Sequence, residues 1–562
     1  MAEAEDLNQW FHRPPKTDAQ RLGIVVGGSL SEGLNVKLDP RTVVIEGLAV
    51  GRYVVIRGAR TGRRFFGLIT DIVLDNTNPR IEKTPPDTSD PFMAEVYAGT
   101  STFGRLHVSP MLVLEEGARE PKPVKTVPEH FSVVYTATEE DVNQVFGQED
   151  ATHFKIGEPL DMEGISVSLD LKKFVERSSG VFGKSGTGKT FLTRMLLAGI
   201  IQQDVAVNLV FDMHNEYGWK SQGEGGYEVK GLRQLFPTGR VAVVTLDAES
   251  SRRRGSKVDF EVEIGYEQIE PEDVDMLRDL LGLTDVQANA LYFLRRRLGR
   301  DWIAKLLAEA EIAEEVEAIV DQGSLHAGTL GAIQRKLGIF RRFAFLKPGL
   351  ETNVVQRILD HLSKGISVVI EFGRYGNSLE AYILVANFLT RRIHEEYVKR
   401  KEAALGRTAD EPRPLVITIE EAHKFLDPLI SRQTIFGTIA RELRKYNVTL
   451  LIVDQRPSGI DEEVMSQIGT RVTCLLDNEA DIRAVFSGVS GAGALREVLA
   501  RLDTRQQALI LGHAVPMPVV IKTRDYQSLY ATLAQGDGKA PEEVLKRNKE
   551  VLRGEGEFEG FD

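Results

Sequence analysis

The sequence has 562 residues, a formal net charge of −12 at neutral pH and a single cysteine, Cys474. The length predicts more than one domain, and the acidic total excludes a protein whose entire surface binds nucleic acid, although a basic pore inside an acidic exterior fits it. The single cysteine excludes an internal disulfide framework and a cysteine-based zinc site, and its apolar neighbours predict a small buried core residue. No apolar run is long enough to span a membrane and the N-terminus has no apolar signal core, so we expect a cytoplasmic protein without membrane contact.

The N-terminal part combines a polar tail, residues 1–18, with a β-rich segment, residues 19–115. The segment consists of short runs of β-forming residues separated by glycine, which predicts a small β-barrel. Nothing in it has a catalytic pattern, so we expect an assembly or docking domain. Residues 116–155 are polar and contain several prolines, and they are interpreted as a connection in which Thr138 caps a short helix.

Residues 183–190 read GKSGTGKT and match the P-loop pattern G-x-x-x-x-G-K-[ST] at every fixed position. A short apolar run precedes the motif and a helical apolar pattern follows it, a context that disfavours the alternative of a glycine-rich turn that binds nothing. In this pattern backbone N–H groups and Lys189 bind the phosphates, and the Thr190 hydroxyl ligates Mg²⁺. The sequence therefore predicts a site for ATP and Mg²⁺. The residues predicted to line it are Gly183, Ser185, Gly186, Thr187, Gly188, Lys189, Thr190 and Phe191.

The P-loop lies in a predicted α/β ATPase core that spans residues 156–269 and 345–525. Largely apolar runs such as 205–211 are typical of buried parallel strands, so we expect a parallel-rich sheet. Residues 270–344 have helical patterns and are interpreted as an inserted helical subdomain. The charged C-terminal tail, residues 526–562, has the character of a segment that braces a neighbouring subunit or covers nucleotide in a ring.

A second chemical motif follows the apolar run 415–419, which ends in two carboxylates, Glu420 and Glu421. In P-loop ATPases the first acid at such a strand end helps to hold Mg²⁺, and the second polarises the attacking water. We assign the metal role to Glu420 and the general-base role to Glu421. Glutamate has one methylene more than aspartate, which leaves open whether Glu420 contacts the metal directly or through water. Ordinary solvated acids are the alternative, which a complete P-loop upstream disfavours.

Three further side chains are candidates for catalysis. Arg441 and Arg444 are candidate arginine fingers, and a finger that acts on a neighbouring subunit implies a ring. Gln455 follows the apolar strand 449–453 and is a candidate sensor of the γ-phosphate. The alternatives are helix-surface charges for the two arginines and a solvated loop amide for Gln455.

Together these motifs resemble the HerA family of the HerA–FtsK branch of P-loop ATPases, and the N-terminal β-rich segment resembles the barrel domain of that family. The stretches that carry the resemblance are Gly183–Thr190, Phe211–Tyr217, Ile419–His423, Arg441–Lys445 and Gln455–Ser458.

The resemblance implies a RecA-like core and a homohexameric ring that moves double-stranded DNA through its pore at the expense of ATP. HerA rings commonly work with the nuclease NurA in the processing of DNA ends for recombination, and related antiphage rings pair with nuclease or sirtuin-type effectors. The branch often has Asp-Glu where this chain has Glu420-Glu421, which keeps Glu421 in the catalytic place. Arg177 stands at a place where the resemblance implies a functional arginine.

The leading hypothesis is therefore a hexameric DNA translocase or helicase that acts with a NurA-like nuclease in DNA end processing and recombinational repair. The alternative is an ATPase ring that serves as the scaffold of an antiphage defence complex and organises a nuclease or sirtuin-like effector. The acidic charge and the β-rich segment fit both. A protein-remodelling ATPase fits less well, because the arginine and strand-tip motifs match the DNA-pumping branch.

Overall fold

The computed structural model describes residues 19–40, 42–97, 100–115, 121–160, 162–222, 228–308, 319, 325–350, 352–404, 406–407, 411–432, 434–489, 492–503, 506–526 and 529. The predicted N-terminal tail, 1–18, lies outside the described residues, and so does the C-terminal tail apart from residues 526 and 529.

The structure has strands and α-helices in both halves of the chain. The strands are β1 (Arg21–Ser29), β2 (Gly33–Leu38), β3 (Tyr53–Arg57), β4 (Arg64–Asn76), β5 (Thr102–Leu114), β6 (Lys122–Pro123), β7 (Val133–Thr136), β8 (His153–Pro159), β9 (Val167–Asp170), β10 (Ser179–Phe182), β11 (Val207–Asp212), β12 (Ser221–Gln222), β13 (Glu228–Val229), β14 (Val241–Thr245), β15 (Phe260–Glu261), β16 (Ile264–Gly265), β17 (Leu346–Lys347), β18 (Ser367–Glu371), β19 (Leu415–Glu420), β20 (Val448–Asp454), β21 (Thr470–Thr473), β22 (Gln507–Gly512) and β23 (Val519–Thr523). The helices are α1 (Arg80–Lys83), α2 (Pro91–Tyr97), α3 (Glu139–Phe146), α4 (Leu171–Glu176), α5 (Lys189–Gln202), α6 (Leu232–Leu235), α7 (Ala248–Arg253), α8 (Pro271–Asp275), α9 (Arg278–Leu281), α10 (Asp285–Leu298), α11 (Trp302–Leu307), α12 (Ala327–Leu337), α13 (Val354–Ser363), α14 (Leu379–Ala403), α15 (His423–Leu426), α16 (Ile435–Glu442), α17 (Glu462–Gln467), α18 (Glu479–Val485) and α19 (Ala492–Ala500).

Two compact units make up the described chain. The first consists of the described residues among Met1–Asp170, Leu475–Asp477 and Gly488–Arg524. The second consists of those among Leu171–Cys474, Asn478–Ser487 and Asp525–Asp562. No helix of the described residues is both long and apolar enough to cross a membrane.

The first unit begins with a sheet of order β2-β1-β7-β3-β4-β5-β6, in which β2 also pairs with β5, so six strands close into a ring. Alternate residues of β5 are buried, as one-sided packing requires, and the core of the ring includes Leu22, Val36 and Ile56. Strand β7 lies between β1 and β3, although it falls in the stretch 116–155 interpreted as a connection. The predicted cap is confirmed, because the Thr138 hydroxyl accepts from the Asp141 N–H at the start of α3.

The same unit contains an antiparallel set of strands of order β22-β23-β8-β9. Residues 488–524 thus group by their contacts with the first unit rather than with the core to which the sequence assigned them. The reason is the pairing of β23 with β8, in which Ile521 lies opposite Pro159.

The second unit is built on a parallel sheet of order β15-β14-β18-β11-β19-β20-β10-β21. Every residue of β11, β18, β19 and β20 is buried, as expected of strands covered on both faces. The predicted α/β class with a parallel-rich sheet is therefore confirmed.

The stretch 270–344 is helical over most of its described part, from α8 to α12. The strands on either side of it, β16 and β17, pair in parallel, with Ile264 opposite Leu346. Asp273 of α8 is fully buried and accepts hydrogen bonds from Arg391 and Arg392 of α14. These paired charges tie the helical stretch to the long helix α14.

Candidate active site

The P-loop connects β10 to α5 and requires glycine at its ends. Gly188 is the N-cap of α5 with φ 94°, a left-handed conformation that side chains disfavour. Gly183 has φ 152°, and a Cβ atom there would lie 2.8 Å from the Cβ of Cys474. Cys474 is buried, as predicted, and burial raises the pKa of its thiol to about 11. The loop thus has the tight backbone path that brings N–H groups to the start of a helix.

Lys189 is turned back onto the P-loop itself. Its Nζ atom donates to the carbonyl oxygen of Lys184 at 2.8 Å, and the Thr187 hydroxyl donates to the same oxygen at 2.7 Å. Burial lowers the pKa of Lys189. The charges of Glu421 and Asp454 oppose this shift. Acids from two other strand ends therefore act on the P-loop lysine.

Strand register explains why these acids and the P-loop meet. Strands β19, β20 and β10 are neighbours in the sheet. Glu420 lies opposite Val453, and Phe182, the last residue before the P-loop, lies opposite Asp454. Because all three strands are parallel, their carboxyl ends meet at one edge, which is where ligands bind in open α/β sheets.

Glu420 is buried, with 7% of its surface exposed. Its Oε1 atom accepts from the Tyr217 hydroxyl at 2.8 Å, and burial followed by the charge of Asp212 raises its pKa to about 8. Its Oε2 atom has no hydrogen-bond partner among the residues that the structure describes. A buried carboxylate oxygen without a donor, next to other acids, fits a divalent cation, and Glu420 and the Thr190 hydroxyl offer the oxygen ligands that Mg²⁺ prefers.

Residues that sequence reasoning did not assign hold Glu420 in place. The Tyr382 hydroxyl donates to the carbonyl oxygen of Glu420 at 3.0 Å and accepts from its N–H at 2.9 Å. Asp212 is fully buried, and burial followed by the charge of Glu371 raises its pKa to about 7. Its carboxylate accepts from the N–H groups of Glu216 at 2.7 Å, Tyr217 at 2.8 Å and Gly218 at 3.1 Å. The polar end of the apolar run 205–211 was the available signal for Asp212, whereas Tyr382 had none.

Glu421 and Gln455, both predicted site residues, are brought together. The Gln455 amide donates to Oε1 of Glu421 at 3.0 Å, and Nδ1 of His423 lies 3.6 Å from its Oε2. Glu421 has φ 48°, a left-handed conformation that is costly for a residue with a side chain and that clusters at functional sites. Its side chain is partly exposed, so a water molecule can reach it.

Asp454 is a further residue that the sequence did not single out. It is 1% exposed, and its carboxylate accepts from the backbone N–H groups of His423 and Arg456, each at 2.7 Å. The Nδ1 atom of His423 lies 3.0 Å from the same carboxylate. Asp454 thereby joins the loops that carry Glu421 and Gln455.

The two candidate fingers differ in what the structure describes of them. The Arg441 guanidinium donates to the Ser431 carbonyl oxygen at 3.1 Å and to its hydroxyl at 3.2 Å, and it lies 3.3 Å from Glu463. The backbone of Arg444 lies in the 3₁₀ turn Leu443–Tyr446, and its side chain is outside the described part of the structure. Arg177 lies against Gly469.

Phe191 stands in the first turn of α5 beside Tyr526, with their ring centroids 6.1 Å apart. The guanidinium of Arg194 lies 5.6 Å from the Phe191 ring and 5.4 Å from the Tyr526 ring. The first residue of the predicted C-terminal tail is therefore next to the P-loop helix.

Comparison with known proteins places this site in a family context. Residues 154–393 match the family model described as "Helicase HerA, central domain". The DNA double-strand break repair helicase HerA of Pyrococcus furiosus is 22% identical over 429 residues, which cover 72% of this chain and 74% of the relative. The protein of the same name from Sulfurisphaera tokodaii is 34% identical over 155 residues, 27% of this chain and 30% of the relative. The structure of VirB4 of Thermoanaerobacter pseudethanolicus aligns with a TM-score of 0.43 and 16% identity over 67% of this chain and 98% of that one.

Proposed function

Since this chain carries the central domain of the HerA helicase family and is an ATP-hydrolysing enzyme of that family, we propose that it is a motor that moves along double-stranded DNA. We propose further that it works as a homohexameric ring in the cytoplasm, with a NurA-like nuclease, in the processing of DNA ends. Two relatives of this chain, from Pyrococcus furiosus and Sulfurisphaera tokodaii, are named DNA double-strand break repair helicases, which supports the repair role.

One observation carries the proposal: the P-loop and the acids Glu420 and Glu421 meet at one edge of the parallel sheet. Hydrolysis of ATP needs positioning and charge neutralisation more than covalent chemistry. Lys189 is a half-buried cation of the site, and it would exchange the Lys184 carbonyl for phosphate oxygens. Thr190 and Glu420 would hold Mg²⁺, which neutralises charge on the phosphates when bound.

Glu421 is the proposed general base. It is positioned by the Gln455 amide at 3.0 Å and is partly exposed, so it can accept the proton of an attacking water. Gln455 would sense the γ-phosphate by exchanging its bond to Glu421 for one to the nucleotide.

We assign the finger acting on a neighbouring subunit to Arg444 rather than Arg441. The contacts of Arg441 with Ser431 and Glu463 of its own chain favour a structural role for that side chain. The closed β-ring of the first unit is the proposed family barrel, which we expect to serve assembly or nuclease docking.

The test is the ATPase rate of the purified protein with and without linear duplex DNA, at about 50 and 200 mM salt. The Lys189→Ala variant supplies the background rate. Stimulation by DNA that fades at the higher salt is expected, because motors of this kind hold DNA through phosphate contacts. A rate that ignores DNA both alone and with the cognate nuclease added would reject the motor in favour of a defence-complex scaffold.

A further inference from the structure

We propose that Tyr217 is a positioning residue that sets the carboxylate of Glu420 for Mg²⁺. The inference rests on the proposed binding of ATP and Mg²⁺ and goes beyond it by assigning how the metal carboxylate is oriented. Tyr217 follows β11, whereas Glu420 ends β19, and the two strands are neighbours in the parallel sheet.

The contact between the two side chains is short and fully enclosed. The Tyr217 hydroxyl donates to Oε1 of Glu420 at 2.8 Å, and Tyr217 is 0% exposed. Oε1 is thereby occupied, while Oε2 has no hydrogen-bond partner among the described residues. The hydroxyl therefore decides which oxygen of Glu420 is left for a cation.

The loop behind Tyr217 is fixed at two points, so its hydroxyl is held in place. Asp212 accepts the N–H group of Tyr217 at 2.8 Å as well as those of Glu216 and Gly218. Arg194 of the P-loop helix donates to the carbonyl oxygen of Glu216. A functional side chain whose support is itself hydrogen-bonded keeps its geometry when the ligand binds.

Glu420 needs such support for two physical reasons. A glutamate has one more rotatable bond than an aspartate, so its carboxylate is harder to hold in one direction. The carboxylate also needs a hydrogen-bond donor from the protein, because only 7% of Glu420 is exposed. A hydroxyl donor restrains the rotation and stabilises the carboxylate, which partners of metal ligands commonly do.

The test is the affinity of a fluorescent ADP analogue, measured with saturating Mg²⁺ and in EDTA. Tyr217→Phe removes one oxygen atom. We expect it to leave the EDTA affinity unchanged and to lose about 10-fold or more of the tightening that Mg²⁺ gives the wild type. Binding of Mn²⁺ to the nucleotide complex, followed by electron paramagnetic resonance, is expected to weaken in parallel, and this readout does not depend on hydrolysis.

The matched control is Tyr375→Phe, because Tyr375 is also buried and its hydroxyl accepts from the Ala344 N–H at 2.9 Å. It should keep the full Mg²⁺ effect. If Tyr217→Phe does not fold, Asp212→Asn is the second variant. It replaces one oxygen that accepts hydrogen bonds from the loop with an NH₂ group, and it should show the same selective loss of the Mg²⁺ effect.

A wild-type-like Mg²⁺ effect in the folded variant would overturn the role of Tyr217. An absence of any Mg²⁺ effect in the wild type would instead overturn the proposed nucleotide site, so the two failures are distinguishable.

Discussion

The amide of Gln455 donates to the carboxylate of Glu421 at 3.0 Å, across 34 residues of sequence. The contact links the tip of β20 to the loop after β19, and it holds the proposed base in one rotamer. A residue proposed to sense the nucleotide is thus bonded to the residue proposed to activate water, and the two functions are mechanically connected.

Replacing Gln455 with Ala should lower kcat by about 10-fold to 100-fold, because a misplaced base loses the geometry of attack. Affinity for ADP should change little, since ADP has no γ-phosphate for the amide to contact. Steady-state ATPase kinetics and equilibrium nucleotide binding measure both quantities. The control is Gln467→Ala, which removes an amide at the end of α17 that donates to the Ser466 hydroxyl. An unchanged kcat would contradict the positioning role of Gln455.

Glu421→Gln should reduce turnover by about 10²-fold to 10⁴-fold while ATP still binds, because the amide keeps the shape of the side chain but cannot accept the proton. Single-turnover hydrolysis and ATP binding by filter retention would separate the two effects. Undiminished hydrolysis would remove Glu421 from the role of base.

Arg444→Ala should retain ATP binding and lose hydrolysis. Mixing it with Lys189→Ala subunits should restore part of the rate, since a finger acts on the nucleotide of a neighbouring subunit. Arg441→Ala should instead lower the free energy of unfolding by about 1–3 kcal/mol, because it removes charged hydrogen bonds to Ser431. Failure of the mixture to recover activity would favour a role for Arg444 within its own subunit.

The thiol of Cys474 should resist alkylation in the folded protein. It is buried, and its pKa of about 11, against an ordinary value of 9.0, leaves about 100-fold less thiolate at pH 8. Ellman's reagent should therefore react with it only after denaturant is added. Rapid labelling of the native protein at pH 8 would contradict this arrangement beside the P-loop.

His361 should make the protein less stable in mild acid. Burial lowers the pKa of this histidine below 6.5 and outweighs the hydrogen bond that its Nδ1 atom donates to the carbonyl oxygen of Arg357 at 2.7 Å. The unfolded chain takes up a proton at a higher pH than the folded chain does. The stabilisation is therefore complete above the unfolded pKa and is lost as pH falls below about 6.5, by up to about 1.4 kcal/mol per pH unit.

The measurement is the thermal unfolding midpoint between pH 7.5 and 5 for wild type and His361→Asn, with the exposed His130→Asn as control. His361→Asn should flatten the acid slope, and His130→Asn should not. Equal slopes in all three proteins would show that His361 does not govern the acid response.

The sequence predicted the parts of the site that lie close together along the chain. The P-loop and the Glu420-Glu421 pair are local patterns with a known chemical reason for each spacing. The buried parallel strands are recognisable in the sequence as apolar runs. Tyr217 contacts Glu420 across 203 residues and Tyr382 contacts it across 38, so no local pattern could reveal either. The same applies to β7, a four-residue strand whose partners β1 and β3 come much earlier in the chain.

The left-handed backbone of Glu421 means that the proposed base is held at a cost to the stability of the fold. Glycine adopts such a conformation without cost, and a glutamate there forgoes roughly 1 kcal/mol. If stability of the fold were the only requirement, glycine, asparagine or aspartate would be preferred at this position. A glutamate at this place therefore fits a chemical role, and glycine in its place would give a protein that is more stable but lacks the proposed base.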